Sequence, residues 1–404
     1  MDLGGNVMFK GENLTHLRMM HGLSRKQLSK NLGVTEQAIW QYENGYTSPK
    51  LQTINALKSM FHVKTKYFYT DDILIDTRSQ ENINMMNIAY RSKILHAVSK
   101  TRAEAKHLEF LDVFVDELTA SISYPTLKVI KLREQVMKYV NDTNDPRETQ
   151  IEQIAKLARK WLGLSNDTND NLMFLIEKSG VFIFEKAIGE EIDAYSLWTK
   201  HDRPYIILGN LKRSAVRRNF DLAHELGHLL LHCHVEFANL DRKEHTHIEK
   251  EANTFAGAFL LPEEAFSSDM KTVKRLTNPD AYIELKEKWH VSIQVLAYRA
   301  ESLGIMEPKS HRNFYAALHR KGYLKQEPLD NELYIQKPMK VKSLIDFVSN
   351  NRLIDIKYML EEIWKVELPF LSKLTGIDPS FFEKYIKNNR SVHKSQVADL
   401  ASYR

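Results

Sequence analysis

The sequence predicts an α+β fold that is mostly helical and carries one small β-sheet near the middle of the chain. Helical periodicity and helix-capping residues dominate both ends of its 404 residues. Between them, residues 180–184, 194–198 and 205–208 form short apolar runs bounded by turn residues, which is typical of strands. We therefore expect an N-terminal all-α domain, a central domain that contains the sheet, and an α-helical C-terminal region.

Composition excludes several classes of protein. A hydrophobic content of 43% with 27% charged residues is ordinary for a globular chain. The single cysteine, Cys233, excludes an intrachain disulfide framework and fits a reducing compartment. No apolar run reaches the roughly 18 residues that a membrane span needs, and the N-terminus lacks the pattern of a signal peptide. We expect a cytoplasmic protein with no membrane partner.

Residues 12–70 carry the pattern of a small four-helix domain. Its predicted helices are one that ends at Gly22, then Ser24–Leu32, Glu36–Asn44 and Leu51–Phe61. Ser24 and Thr35 are good N-caps, and Gly33 permits the tight turn that separates the second helix from the third. A helix, a short glycine-containing turn and a second helix form the helix-turn-helix plan.

This N-terminal segment is also basic. Residues 1–70 hold nine Lys and Arg against four Asp and Glu, so their net charge of +5 equals that of the whole chain. A basic module attached to a neutral remainder indicates a polyanionic partner. Together with the helix-turn-helix plan, this charge predicts binding to double-stranded DNA.

The stretch SRKQLSKNLGVTEQAIWQYENG, which ends at Gly45, closely resembles the phage-repressor (Cro-like, or xenobiotic-response-element) family of DNA-binding domains. The resemblance implies a third helix that enters the major groove, where Gln reads adenine and Glu accepts from cytosine. The residues expected at bases are Glu36, Gln37 and Gln41, and those expected at phosphates are Thr35, Asn44, Lys26 and Lys50. It also implies that Arg18 and Glu43 pair inside the domain.

Residues 71–145 are predicted to form a helical connector. A turn-rich break at residues 141–146 marks its end. No site is apparent in it, and a homodimer contact is one role that such a connector could serve.

The motif His224-Glu225-Leu-Gly-His228 lies inside an apolar helical run. Histidines four residues apart share one helix face, so both imidazoles can reach one cation. Neutral imidazoles suit zinc. Glu225 follows the first histidine, at the position of the general base in a zinc peptidase. The alternative is that these are incidental histidines on an exposed helix. The apolar flanks indicate that the helix is buried, and burying histidines that have no partners is energetically costly.

A second helix, residues 249–262, is predicted to stop near Pro262. In glutamate-type zinc peptidases, a Glu from a second helix completes the metal site, and a polar residue four positions later orients a ligand histidine. Glu249 and Asn253 have this spacing. Glu251, two residues away and on nearly the opposite face, is the alternative third ligand.

Four further histidines lie close to the motif in sequence. His232 is rotated about 80° from His224 around the helix, so it is either a helix-end residue or an acid or oxyanion donor at the site. His234, His245 and His247 are predicted to lie in a solvated link between the two helices.

Residues from about 151 to about 304 resemble the ImmA/IrrE family of metallopeptidases. The resemblance rests on residues 220–232 and 249–262, which occur in the family's order and spacing. It implies a zincin-like metallopeptidase that uses Zn²⁺ to cut a repressor protein. The positions that match its ligands and base are His224, His228, Glu249 and Glu225.

The predicted domain organisation follows from these assignments. The domains are 12–70 helix-turn-helix, 71–145 connector, 146–270 metallopeptidase, 271–327 helical extension packed on the peptidase, and 328–404 helical C-terminal region. We expect a DNA-binding regulator that cleaves a transcriptional repressor and so relieves repression. The alternative is a non-catalytic regulator whose peptidase-like domain acts as a sensor or protein-interaction module.

Overall fold

The computed structural model divides the chain into two compact units. The first contains Met1–Met85, Ile94–Pro125 and Val341–Arg404, and the second contains Met86–Lys93 and Thr126–Lys340. The residues described are 8–71, 73–76, 89–90, 98–123, 127–187, 194–199, 201–210, 214–387 and 398–399.

The α+β fold class predicted from the sequence, mostly helical with a small sheet, is confirmed. The helices are α1 (Gly11–Met20), α2 (Arg25–Leu32), α3 (Glu36–Glu43), α4 (Leu51–Phe61), α5 (Ile73–Asp76), α6 (Val98–Thr119), α7 (Lys128–Asp142), α8 (Arg147–Leu162), α9 (Leu172–Ser179), α10 (Ala215–Leu231), α11 (Arg242–Leu260), α12 (Glu263–Met270), α13 (Ile283–Trp289), α14 (Ile293–Ser302), α15 (Pro308–Arg320), α16 (Lys340–Asn350), α17 (Ile356–Tyr358), α18 (Leu368–Thr375) and α19 (Pro379–Lys387). Short 3₁₀ helices lie at Thr65–Tyr69, Phe237–Asn239 and Pro279–Tyr282, and a π-helix lies at Met359–Trp364. The strands are β1 (Ala89–Tyr90), β2 (Ile122–Ser123), β3 (Phe182–Lys186), β4 (Ala194–Trp198), β5 (Pro204–Gly209) and β6 (Ala398–Asp399).

In the first unit, helix caps fix the turn between α2 and α3. Ser24 Oγ accepts from the Gln27 backbone N–H at 3.1 Å, and Gln27 Oε1 accepts from the Ser24 N–H at 2.8 Å, which completes a capping box. Gly33 ends α2 with a φ of 66°, a left-handed conformation that glycine adopts without strain. Thr35 then caps α3. The turn that the sequence predicted is therefore present.

Helix α1 packs closely against α3 at Gly11. A Cβ at this position would overlap the backbone carbonyl oxygens of Tyr42 and Glu43. The first unit also contains segments distant in sequence. Its Val63 forms an isolated β-bridge with Val366, and the ring of Phe114 packs edge-on against Trp364.

In the second unit, the sheet has the strand order β1-β4-β5-β3. β4 runs antiparallel to β5, and β3 runs parallel to it. β1 pairs with β4 in antiparallel register, with Ala89 opposite Ser196 and Tyr90 opposite Tyr195. The bounds of β4 match the prediction, whereas β3 begins two residues later, because Gly180 ends α9 with a φ of 123°.

Helix α10 packs against β4 and β5, and α11 packs against α10 and α8. Trp198 of β4 ties the sheet to α10, since its indole N–H donates to the Leu229 carbonyl at 2.9 Å. Leu222 and Leu226 of α10 are fully buried with Phe255 of α11. This core holds α10 and α11 side by side.

Beyond Pro262, helices α12 to α15 extend the same core. This part of the second unit also contains a buried cluster of charged side chains. Lys286, fully buried, places its Nζ 2.8 Å from Glu327 Oε2 and 2.7 Å from Asp330 Oδ1. Glu327 also accepts from the backbone N–H of Ile293 at the start of α14. The domain bounds given from the sequence remain predictions.

No helix within the described ranges combines the length and the apolar character that crossing a membrane requires.

Candidate metal centre

Three predicted ligand residues converge at the interface of α10 and α11. His224 Nε2 lies 3.0 Å from His228 Nε2. Glu249 reaches both imidazoles, with Oε2 3.4 Å from His224 Nε2 and Oε1 3.4 Å from His228 Nε2. These ligand atoms all lie within 4.8 Å of one another. The arrangement offers two imidazole nitrogens and one carboxylate to a single cation, which is a donor set that zinc accepts.

Asn253 sets the tautomer of His224. Its Oδ1 lies 3.0 Å from His224 Nδ1, and an amide oxygen can only accept a hydrogen bond. His224 Nδ1 therefore carries the proton, and the neutral ring presents the lone pair of Nε2 to the site. The sequence predicted an orienting residue at this position, four after Glu249.

His228 is held through a chain of three groups. Its Nδ1 lies 3.0 Å from His232 Nδ1, and His232 Nε2 lies 3.1 Å from Glu251 Oε2. Arg147 of α8 forms a bidentate ion pair with the Glu251 carboxylate, with its Nε 2.9 Å from Oε1 and its Nη2 2.6 Å from Oε2. The structure thus directs Glu251 away from the cluster of His224, His228 and Glu249.

The electrostatics of this chain follow from burial and hydrogen bonding. Burial lowers the pKa of His232 to about 4, although the Glu251 carboxylate opposes the shift. Burial raises the pKa of Glu251, but hydrogen bonds from His232 and Arg147 outweigh it and bring the value to about 2. At neutral pH a neutral His232 therefore faces an ionised Glu251.

The residues fit a metal ion. The two Nε2 atoms lie 3.0 Å apart, and when both are unprotonated their lone pairs repel unless a cation binds to both. Glu249 Oε1 is buried and, among the described residues, no hydrogen-bond donor reaches it. An ionised carboxylate with an unsatisfied oxygen is what a cation requires.

Glu225 is fully buried next to the first candidate ligand. Ser196 of β4 donates its hydroxyl to Glu225 Oε2 at 2.6 Å. The serine was missed in the sequence, although a polar residue inside the apolar run Ala-Tyr-Ser-Leu-Trp was a usable signal. The hydrogen bond fixes the orientation of the carboxylate relative to α10.

The prediction that His245 and His247 lie in a link between the helices is wrong, because α11 begins at Arg242. Asp241 caps this helix and forms a capping box with Glu244, a sequence signal that was overlooked. His247 is exposed, and its Nε2 lies 3.2 Å from Glu251 Oε1. His234 does lie in the turn after α10.

The residues predicted to contact DNA lie on and around α3. Those exposed to solvent are Thr35, Glu36, Gln37, Asn44, Lys26 and Lys50. Gln41 is half-buried. Two of the polar side chains have local roles as well: Thr35 caps α3, and Asn44 donates to the Trp40 carbonyl at 2.8 Å.

The predicted pairing of Arg18 with Glu43 is confirmed. The guanidinium of Arg18 contacts both oxygens of the buried Glu43 carboxylate, and Arg25 Nε lies 2.5 Å from Glu43 Oε2. The pair stabilises the interior of the domain. Trp40 lies at the surface and stacks on Tyr46, with ring centroids 5.0 Å apart.

Comparison with family models identifies two known domains in the chain. Residues 176–301 match the IrrE N-terminal-like domain of peptidase family M78, and residues 14–68 match a helix-turn-helix domain. A search of curated proteins found no match. The three converging residues and Glu225 all lie inside the first matched segment, whereas Arg147 lies outside it.

Proposed function

We propose that this chain, which combines a helix-turn-helix DNA-binding domain with an IrrE N-terminal-like peptidase domain, is a regulator that cleaves a transcriptional repressor by zinc-dependent hydrolysis. The observation that carries the proposal is the convergence of His224, His228 and Glu249 beside a buried Glu225. Two histidines, one carboxylate ligand and an adjacent carboxylate base form the residue set of a hydrolytic zinc site.

In this mechanism, His224 Nε2, His228 Nε2 and the Glu249 carboxylate would hold the metal. Zinc, when bound, supplies Lewis acidity that polarises a substrate carbonyl and makes water more acidic. Glu225 takes the proton from the attacking water and delivers it to the leaving amine. The Ser196 hydroxyl fixes the Glu225 carboxylate during both transfers.

The same geometry suggests where an extended peptide would bind. β4 carries Ser196 and packs against α10, so it lies beside the reacting groups. Added-strand pairing orients a peptide through backbone hydrogen bonds. We place the substrate along β4 at Leu197 and Trp198, beyond the two residues of β4 that pair with β1.

Glu225→Gln tests the function, because glutamine keeps the size of the side chain but cannot accept a proton. The substrate is found by comparing intact and fragmented proteins, by mass spectrometry, in cells that express the wild type or the variant. We expect a repressor to be cleaved only by the wild type, with a loss of roughly 10²–10⁴-fold in rate for the variant. Zinc content and duplex binding should not change.

Glu264→Gln is the control, since this carboxylate is 89% exposed and lies outside the site. Its cleavage should equal that of the wild type. Equal cleavage by Glu225→Gln, or equal induction of the regulated gene, would instead support the non-catalytic sensor.

A further inference from the structure

We propose that His232, Glu251 and Arg147 form a positioning relay that fixes the tautomer of His228, so that its Nε2 lone pair faces the metal. The proposal rests on the proposed function only in taking the metal ion at this site to be zinc. None of the three residues belongs to the cluster of His224, His228 and Glu249. They act through His228 and do not touch the reacting atoms.

The direction of each hydrogen bond follows from the chemistry of the groups. Glu251 is a carboxylate and can only accept, so His232 Nε2 carries a proton and donates to it at 3.1 Å. In a neutral imidazole, the other nitrogen is then an acceptor. His232 Nδ1 therefore accepts from His228 Nδ1 at 3.0 Å. With its proton on Nδ1, His228 has an unprotonated Nε2 at the site.

The opposite arrangement would disable the site. If His232 Nδ1 carried a proton, it would donate to His228 Nδ1, and the proton of His228 would move to Nε2. That proton would point at His224 Nε2, only 3.0 Å away, in the place that a cation needs. The relay thus selects the metal-ready form of one ligand, as Asn253 does for the other.

The relay is built as a rigid unit. His232 and Glu251 are 5% and 8% exposed, so water does not compete for their hydrogen bonds. Arg147 binds the Glu251 carboxylate through two nitrogens, and this contact joins residues that are 104 apart in sequence. A bidentate Arg–carboxylate pair fixes the plane as well as the position of the carboxylate. The ring of His232 consequently has one favoured orientation.

The test compares His232→Leu with His232→Gln in the full chain. Leucine retains apolar volume but offers no acceptor, whereas glutamine can present an oxygen to His228 Nδ1. Zinc affinity is measured by competition with a chelator. We expect His232→Leu to raise the zinc Kd by about 10–100-fold, the range for groups that orient metal ligands, and His232→Gln to recover most of this loss.

A second readout needs no metal. The ¹⁵N shifts of His228 in the zinc-free protein, assigned with His228→Ala, should show Nδ1 protonated in the wild type and a mixture of tautomers in His232→Leu. This distinguishes failure of the relay from failure of the proposed function. A wild type that binds no zinc but shows the Nδ1–H form would overturn the function and leave the relay standing.

His247→Ala is the matched control, because His247 contacts the same carboxylate from outside and its side chain is 69% exposed. Its zinc Kd should stay within about threefold of the wild type, below the range for orienting groups. The relay is refuted by an Nε2–H tautomer of His228 in the wild type. It is also refuted if His232→Leu binds zinc as tightly as the wild type does. The same conclusion follows if His232→Gln, or the His247→Ala control, loses as much zinc affinity as His232→Leu.

Discussion

Gly227 lies directly against Phe255, and a Cβ at residue 227 would come within 2.9 Å of the ring carbon Cδ1. Gly227 stands between Glu225 and His228 on α10, and Phe255 follows Asn253 on α11. The missing side chain therefore allows the two helices to approach closely enough for Glu249 to reach both histidines.

Gly227→Ala should separate the helices or displace the Phe255 ring. Overpacking of this kind costs about 1–3 kcal/mol, against a gain of up to about 1 kcal/mol from helix propensity. We expect a lower melting temperature and weaker zinc binding, measured by calorimetry and chelator competition. The control is Gly257→Ala on α11, where nothing lies within 4 Å of the added Cβ. Equal behaviour of the two variants would contradict the packing argument.

Glu249→Ala should remove a ligand and leave two facing imidazoles. The loss of zinc affinity should exceed the 10–100-fold expected for residues that only orient ligands. Glu251→Ala should fall within that range, because Glu251 acts through His232. Zinc titration of both variants checks the order, and a larger loss for Glu251→Ala would make Glu251 the third ligand.

Ser196→Ala should slow cleavage without releasing zinc. A hydrogen bond to a charged group contributes about 1.5–3 kcal/mol, so loss of carboxylate orientation should lower kcat by about tenfold or more. Ser179→Ala provides the comparison, since Ser179 is also buried but donates to the Ile176 carbonyl. If both serine variants cleave the repressor equally fast, Ser196 does not position the base.

Gln37→Ala and Gln41→Ala should relax the sequence preference of DNA binding, by about 1–3 kcal/mol for each lost bidentate contact. Lys26→Ala should instead weaken binding to all sequences and reduce the salt slope by about one. Electrophoretic mobility-shift assays of the full chain with matched and mismatched duplexes, at several salt concentrations, measure both effects. Failure to bind any duplex at low salt would mean that the domain docks onto protein.

Local signals in the sequence were sufficient for much of this structure. The positions of α2 and α3 could be predicted from helix caps and glycine turns, because these signals act over a few neighbouring residues. The bounds of β4 were predicted correctly from the short run Ala-Tyr-Ser-Leu-Trp. The spacing of His224 and His228 placed both imidazoles on one face of α10, and the spacing of Glu249 and Asn253 did the same for α11.

The remaining features depend on contacts that no local pattern encodes. Arg147 reaches Glu251 across 104 residues of sequence, and Lys286 meets Glu327 across 41. The first unit brings Val366 to Val63 although 302 residues intervene. His232 lies at the end of α10, one of the two alternatives that the sequence left open. Its partner Glu251 lies on another helix, so its role in orienting His228 was not apparent from the sequence.

The pairing of β1 with β4 has a practical consequence for fragments of this protein. A fragment that begins after residue 97 lacks Ala89 and Tyr90, so β4 becomes the outer strand of the sheet. Its unpaired backbone groups at Tyr195 and Ser196 would then be open to strands from other molecules, which is a common cause of aggregation. A soluble version of the second unit should therefore begin before residue 89.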